Sequence, residues 1–351
     1  ELLEDLKNFQ LGKPVSLLAK WVKTADSKVE ETRKLGILTA EKLGYPVYNF
    51  KRIIRTLRKY IDVTEVKMCD NNWDDIDYSA VPGRAMLKYR KAFDRHDTER
   101  FEKFINLAME GKGNIHSETL YPYDIVEKIL YRNEDNKVLE AQWRNLPDYG
   151  VGDENMLVMA DVSGSMYGRP MATSIGLAIY FAERSSGQFK NNYITFSENP
   201  QLVDFSNANS LKEKLEIALT YNEVENTNIE AVFDLILQTA INKNMTQTEL
   251  PKNILILSDM EFDGCVTCIT SNDEWTYYSK EKPTKKLFAT FKKRYKEYGY
   301  KLPRLVFWNI LSRTGTIPVK ENDLGVALVS GFSPAIVKMV LSNSTDPFEC
   351  L

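Results

Sequence analysis

The chain has 351 residues, 43% hydrophobic and 27% charged, with a formal net charge of −3. That is length enough for two globular domains, and the near-neutral balance excludes a protein that is basic overall and binds nucleic acid by charge alone. No apolar run nears the roughly 18 residues that span a bilayer, and four cysteines in so long a chain suit a reducing compartment such as the cytoplasm.

No signal peptide is visible; the chain begins at Glu1 rather than Met, which leaves open whether residues precede it. From Glu1 to about Tyr149 the pattern is helical. Leu2, Leu3 and Leu6, then Leu17, Leu18, Trp21 and Val22, recur at helical spacing. Ser27–Leu43 is an amphipathic pattern closed by Gly44 and Pro46. In Asn49–Ile61, Phe50, Ile53, Ile54 and Leu57 face one way, and Lys51, Arg55, Arg58 and Lys59 face the other. Short helices of this kind suggest stacked hairpins like those of helical repeats. An acidic stretch follows, with Asp70, Asp74, Asp75 and Asp77. Pro82-Gly83 marks a turn. A basic segment then carries Arg84, Lys88, Arg90, Lys91 and Arg95. Thr98–Met109 reads as a helix capped by Thr98 and stopped by Gly111, and Asp124–Tyr131 as another with Asp124 near its start.

From Leu146-Pro147 the pattern changes to alternating strands and helices, the sign of a parallel sheet. Met156–Ala160 is an apolar run too short for a helix and reads as a buried strand. It ends in Asp161-Val-Ser163-Gly-Ser165, with Pro170 suited to the first turn of the helix that runs to Arg184. Asn192–Phe196 and Gln201–Phe205 read as a strand hairpin, Ser210–Leu219 and Ile229–Ile241 as helices, and Ile254–Leu257 as a central strand. Thr284–Tyr298 is a basic helix, Leu305–Ile310 and Val326–Val329 are strands, and Ser333–Leu341 is the last helix. At the end of the first strand an acid enters a tight loop containing Gly164. The hydroxyls of Ser163 and Ser165 converge on the point it faces. Crevices beyond strand ends are where open α/β sheets bind ligands. Asp and Ser are also ordinary turn residues, so these five residues alone leave both a ligand loop and a plain turn open.

DVSGSM resembles the metal-ion-dependent adhesion site of von Willebrand factor A domains. That family adds a Thr ahead of a helix and an Asp after a later buried strand; Thr227, in ENTNIEAVFDLIL, and Asp259, at the end of NILILSD, match. The family often has Gly-Gly before the Thr, where this chain has Glu225-Asn226, so the loop carrying Thr227 differs in sequence. The resemblance implies a divalent ion held by Asp161, Ser163, Ser165, Thr227 and Asp259, with the hydroxyls direct and one or both acids acting through water. Magnesium is the expected ion, with manganese or calcium as alternatives. VPGRAMLKYRKAFDRHD and LYPYDIVEKIL, placed before such a domain, resemble an uncharacterised family of plants, fungi, viruses and phages. That family joins a helical module to a von Willebrand factor A domain, and is similar in layout to the TROVE proteins, the Ro ribonucleoprotein and telomerase–vault group. The fold class implied is an α-helical, repeat-like module over residues 1–149, followed by a doubly wound, Rossmann-like α/β domain over 150–351.

The chemistry is narrowed by what is missing. His96 and His116 are the only histidines and lie far in sequence from the acids. No base is therefore evident to activate Ser163 or Ser165. There is no G-x-x-x-x-G-K-[ST] phosphate loop. Glu261 and Asp263 are the only acids nearby in sequence that could orient a water, which makes a magnesium-dependent phosphoesterase the weakest reading. Cys265 and Cys268 have the spacing of half a zinc site, but no second pair or histidine completes it, and they read as two unpaired loop thiols.

The expectation is a non-catalytic, metal-dependent binding protein in which a partner's carboxylate completes the ion's shell. Trp275, Tyr277 and Tyr278, in the segment after Asp259, would supply apolar contact around it. Association with small or single-stranded RNA, implied by the Ro-like layout, would use Lys51, Arg55, Arg58, Lys88, Lys91 and Arg95. Against it, the first 150 residues hold 26 basic and 25 acidic side chains. The alternative is a protein–protein adaptor without RNA. Oligomeric state is open.

Overall fold

The computed structural model describes residues 1–134, 137–149, 155–197, 199–221, 229–259, 285–311 and 326–333. The chain forms two compact units. One is Glu1–Val81 with Lys88–Phe104, and the other Pro82–Leu87 with Ile105–Leu351. The family of helices runs α1 (Leu2–Gln10), α2 (Leu18–Trp21), α3 (Glu30–Lys42), α4 (Val47–Tyr60), α5 (Thr64–Cys69), α6 (Gly83–His96), α7 (Thr98–Met109), α8 (Pro122–Arg132) and α9 (Lys137–Arg144). The α/β part follows as β1 (Met156–Ala160), α10 (Arg169–Arg184), β2 (Asn192–Thr195), β3 (Leu202–Asp204), α11 (Leu211–Thr220), α12 (Ile229–Asn242), β4 (Asn253–Ser258), α13 (Lys285–Glu297), β5 (Arg304–Asn309) and β6 (Val326–Ser330).

The first unit is organised around α4. Phe50, Ile54 and Leu57 recur at i, i+4 and i+7, are fully buried, and pack with Leu2, Ala19 and Ala40. Buried Asp5 accepts from both the N–H and the hydroxyl of Ser16, at 2.7 and 2.6 Å, and so fixes the connection after α1. A second cluster gathers Tyr78, Phe93 and Phe101, with ring centroids 5.0–5.6 Å apart. Tyr78 donates to Asp97 at 2.8 Å, which gives its buried hydroxyl an acceptor. Two expectations fail here. Leu17 and Trp21, spaced as a buried face, are 61% and 70% exposed, because α2 is a single turn with no second turn to continue a stripe. Thr98 is the first residue of α7 instead of the residue ahead of it, and its hydroxyl donates back to the Asp94 carbonyl in the last turn of α6.

In the second unit a six-stranded sheet has the order β3-β2-β1-β4-β5-β6. All neighbours are parallel except β2 and β3, the expected hairpin pair. Strand residues alternate between two apolar faces. Met156, Val158, Ala160, Leu255, Leu257, Val306 and Trp308 meet α8, α9, α10 and α11. Leu157, Met159, Ile254, Ile256, Leu305 and Phe307 meet α12 and α13. Helices on both faces are what make the parallel strands continuous hydrophobic runs. This is the doubly wound von Willebrand factor A layout.

Helix α9 has no counterpart in the sequence reading. Its Val138, Leu139, Ala141 and Trp143 are buried, Leu139 and Trp143 in the core that α10 shares with the sheet. Helix α8 lies directly against α10, and the contact depends on Gly176. A Cβ there would sit 3.3 Å from Val126 Cγ2 and 3.4 Å from Pro122 Cβ. Gly176→Leu should therefore wedge α8 off α10 and cost about 1–3 kcal/mol in urea unfolding, whereas Gly176→Ala should fall well below that.

Candidate metal centre

The site is set by the pairing of β1 with β4. Ala160 lies opposite Leu257, and the Asp161 N–H donates to the Leu257 carbonyl at 2.9 Å. Both strands end together, so Asp161 and Asp259 emerge side by side at their carboxyl ends. The connection after β1 goes through α10 on one face of the sheet, and α13, after β4, covers the other. That divergence opens the crevice in which doubly wound sheets bind ligands.

Between β1 and α10 the loop is held from inside. The Ser163 N–H donates to Asp161 Oδ1 at 2.9 Å, the Ser258 hydroxyl to Asp161 Oδ2 at 2.8 Å, and Met166 N–H to the Ser163 carbonyl at 3.0 Å. Met166 is fully buried and anchors the turn, leaving Gly164 and Ser165 at the surface. In the sequence Ser258 shows only as a hydroxyl immediately before the acid, and it is the strand register that aims it at Asp161. Asp161 and Asp259 are 4% and 1% exposed. Burial pushes the Asp161 carboxyl above the usual carboxylate range; the Ser163 and Ser258 donors pull it down, and the neighbouring Asp259 pushes it up.

This donor set fits a small hard cation. The Ser163 and Ser165 hydroxyls are hydrogen-bonded to each other, with their oxygens 3.0 Å apart. Adjacent corners of an octahedron with bonds of about 2.1 Å are about 3.0 Å apart, so the two hydroxyls match one edge of a magnesium shell. Both Asp161 oxygens already accept hydrogen bonds, which suits an acid that acts through bound water. Among the described residues no group of three or more His, Cys, Asp and Glu gathers, so a thiolate or imidazole site is not formed there. Thr227 lies outside the described residues, as do Glu261, Asp263, Cys265, Cys268, Trp275, Tyr277 and Tyr278.

A family model described as "Domain of unknown function (DUF7788)" matches residues 155–349. The chain belongs to that family. A second model, "Domain of unknown function (DUF2828)", matches residues 15–149. The chain is 29% identical over 350 residues to "Uncharacterized protein L728" of Acanthamoeba polyphaga mimivirus, covering 93% of this chain and 58% of that protein. It thus spans little more than half the length of this relative. Among solved structures, the Deinococcus radiodurans RO (RSR) protein is 11% identical with a TM-score of 0.39, over 93% of this chain and 73% of that one. Proximal thread matrix protein 1 from the mussel byssus, solved with a zinc-occupied MIDAS motif, is 12% identical with a TM-score of 0.31, over 54% of this chain and 46% of that one. Likenesses so remote bear on neither ligand nor partner.

The six basic residues of the helical half divide into two kinds. Arg58 is committed to the fold: Nε donates to the Ala19 carbonyl at 2.8 Å and Nη2 to that of Val22 at 3.0 Å, and burial pushes its pKa down. It clamps the exit of α2 and does not present a free cation. Arg55, Lys88, Lys91 and Arg95 are exposed and Lys51 half-buried. Lys88 donates to the Tyr89 hydroxyl at 2.9 Å, and Tyr89 in turn donates to Glu65. Arg58→Met should lower stability by about 1–3 kcal/mol in urea unfolding, whereas Arg55→Met should change it by less than about 0.5 kcal/mol.

Proposed function

We propose that the chain is a non-catalytic binding protein that uses a divalent ion at the ends of β1 and β4 to hold an anionic partner. The observation that carries this is the pair of hydroxyls 3.0 Å apart beside two buried acids. Asp161, Ser163, Ser165 and Asp259, with Thr227 by family resemblance, would hold the ion. When bound, it supplies an electrophilic point whose shell these residues leave incomplete. The chain's own work is to fix the hydroxyls and keep the acids apart from bulk water. A carboxylate on a partner protein suits the open position best. No histidine lies near the loop in sequence, and among the described residues no base is bonded to either serine, which is why hydrolysis is not part of the proposal. A reducing, cytoplasmic setting fits the sparse cysteines.

RNA association is the second reading. It rests on the resemblance of the sequence to the TROVE layout and on the exposed Arg55, Lys88, Lys91 and Arg95. Phosphate contacts of this kind make affinity fall steeply with salt.

Titration calorimetry with magnesium and with manganese should show one site, abolished in Asp161→Ala with the circular dichroism unchanged; undiminished affinity in that variant would remove the assignment. Filter binding of single-stranded RNA across a salt series should show weak retention at low salt, reduced in Arg55→Glu/Arg95→Glu. Absence of retention at the lowest salt would end the RNA reading. Magnesium-dependent cleavage of a generic phosphoester, lost in Asp259→Ala, would replace the binding module with an enzyme.

A further inference from the structure

We infer that the metal loop is one end of a longer docking surface, a ladder of tyrosines and arginines that receives a protein segment carrying a single carboxylate. This rests on the reading of the loop as a cation site with an anionic partner; it adds where the rest of that partner lies and what it is.

The ladder begins two residues beyond Ser165. Tyr167 leaves the loop 76% exposed. Gly168, at φ +93°, turns the chain into α10, and its carbonyl accepts from the Tyr131 hydroxyl at 2.7 Å. The rings of Tyr131 and Tyr167 are 5.8 Å apart. Tyr123, Glu127 and Tyr131 follow at intervals of four on α8 and so form one stripe, running from Tyr123, which is buried against the core, to Tyr131, which is exposed. Arg169 Nε donates to Glu127 at 3.0 Å, and its guanidinium lies 5.2 Å from the Tyr123 ring. Tyr123 stacks on Tyr121 at 5.5 Å and 26°. Arg84 closes the row, with its guanidinium 5.9 Å from the Tyr121 ring and 3.4 Å from Asp124. The side chains of Arg84 and Arg169 are 57% and 56% exposed. All these residues belong to one compact unit.

Three features choose the occupant. Tyrosine and arginine are the residues in which protein interfaces concentrate their binding energy. Here Tyr131, Arg169 and Arg84 are pinned before any partner arrives, by Gly168, Glu127 and Asp124, so they have little side-chain freedom left to lose. Each guanidinium is also matched by a carboxylate, which leaves the ladder without the surplus of cations that a polynucleotide backbone needs. Only the metal loop asks for an anion. The surface therefore fits a peptide with one Asp or Glu at the ion and apolar or aromatic side chains along the row. From Tyr123 to Tyr131 the helix rises about 12 Å, the reach of about four residues of extended peptide.

A random peptide library displayed on phage, selected on the full chain in magnesium and released by chelator, supplies the probe. The released peptides should share an acidic residue. A synthetic copy, titrated by fluorescence anisotropy, should bind Tyr167→Ala and Arg169→Ala more weakly by about tenfold or more, the loss expected of an interface anchor. Calorimetry should show magnesium affinity unchanged in both variants, and their melting should match the wild type. If the peptides bind both variants within about twofold of the wild type but are lost in Asp161→Ala, the ladder falls and the cation site stands. If chelator releases no peptide, or magnesium does not bind, the cation-site reading falls and takes the ladder with it. Metal-dependent binding of a polyuridine oligonucleotide, lost in Tyr167→Ala, would put nucleic acid in place of the peptide and overturn the inference.

Discussion

The parallel pairing of β1 with β4 is the constraint on which the rest depends. It joins two strands whose following connections go to opposite faces of the sheet, and it sets their ends level. Two acids far apart in sequence thereby become neighbours in a water-poor crevice. Like charges so placed repel, and nothing in ordinary folding favours the arrangement. A bound cation would resolve it, because the field that disfavours two carboxylates is the field that attracts an ion. The hydrogen bonds to Asp161 from Ser163 and Ser258 point the same way. They hold the carboxylate in one orientation before any ligand is present, as supporting contacts do around metal ligands.

Much of this was legible in the sequence because its signals are local and periodic. The strands of the sheet are short, mostly apolar runs of three to six residues, and they fall within a residue or two of where the sequence puts them. Asp161, Ser163 and Ser165 fall within five residues, so their proximity needs no tertiary knowledge. Ser258 was not legible. Its hydroxyl matters because Ala160 pairs with Leu257, and register between distant strands is not written in either strand alone. The same limit hid α9, whose Trp143 is fully buried yet stands in a segment rich in polar and charged residues.

Arg58 shows the opposite error. On a helical wheel it shares a face with Lys51 and Arg55, and charge at that spacing ordinarily means solvent. The structure instead turns the guanidinium toward the carbonyls of Ala19 and Val22. Arginine does this readily, since its long stem is apolar and its planar head satisfies several carbonyls at once. A pattern of charges therefore locates a helix face without saying which cations remain available to a ligand.

The contact between α8 and α10 bears on how the two halves of this gene have travelled. The family models divide near residue 150, but the apolar face that α10 turns away from the sheet is covered by Ile125, Val126, Leu139 and Trp143, from before that point. A descendant that inherited only the later half would expose that face to water and lose the glycine-permitted seam at its middle. Shuffling of the sheet domain as a free cassette is thus penalised by its own core. The pairing of a helical leader with this kind of sheet is then a matter of shared packing as much as of shared function.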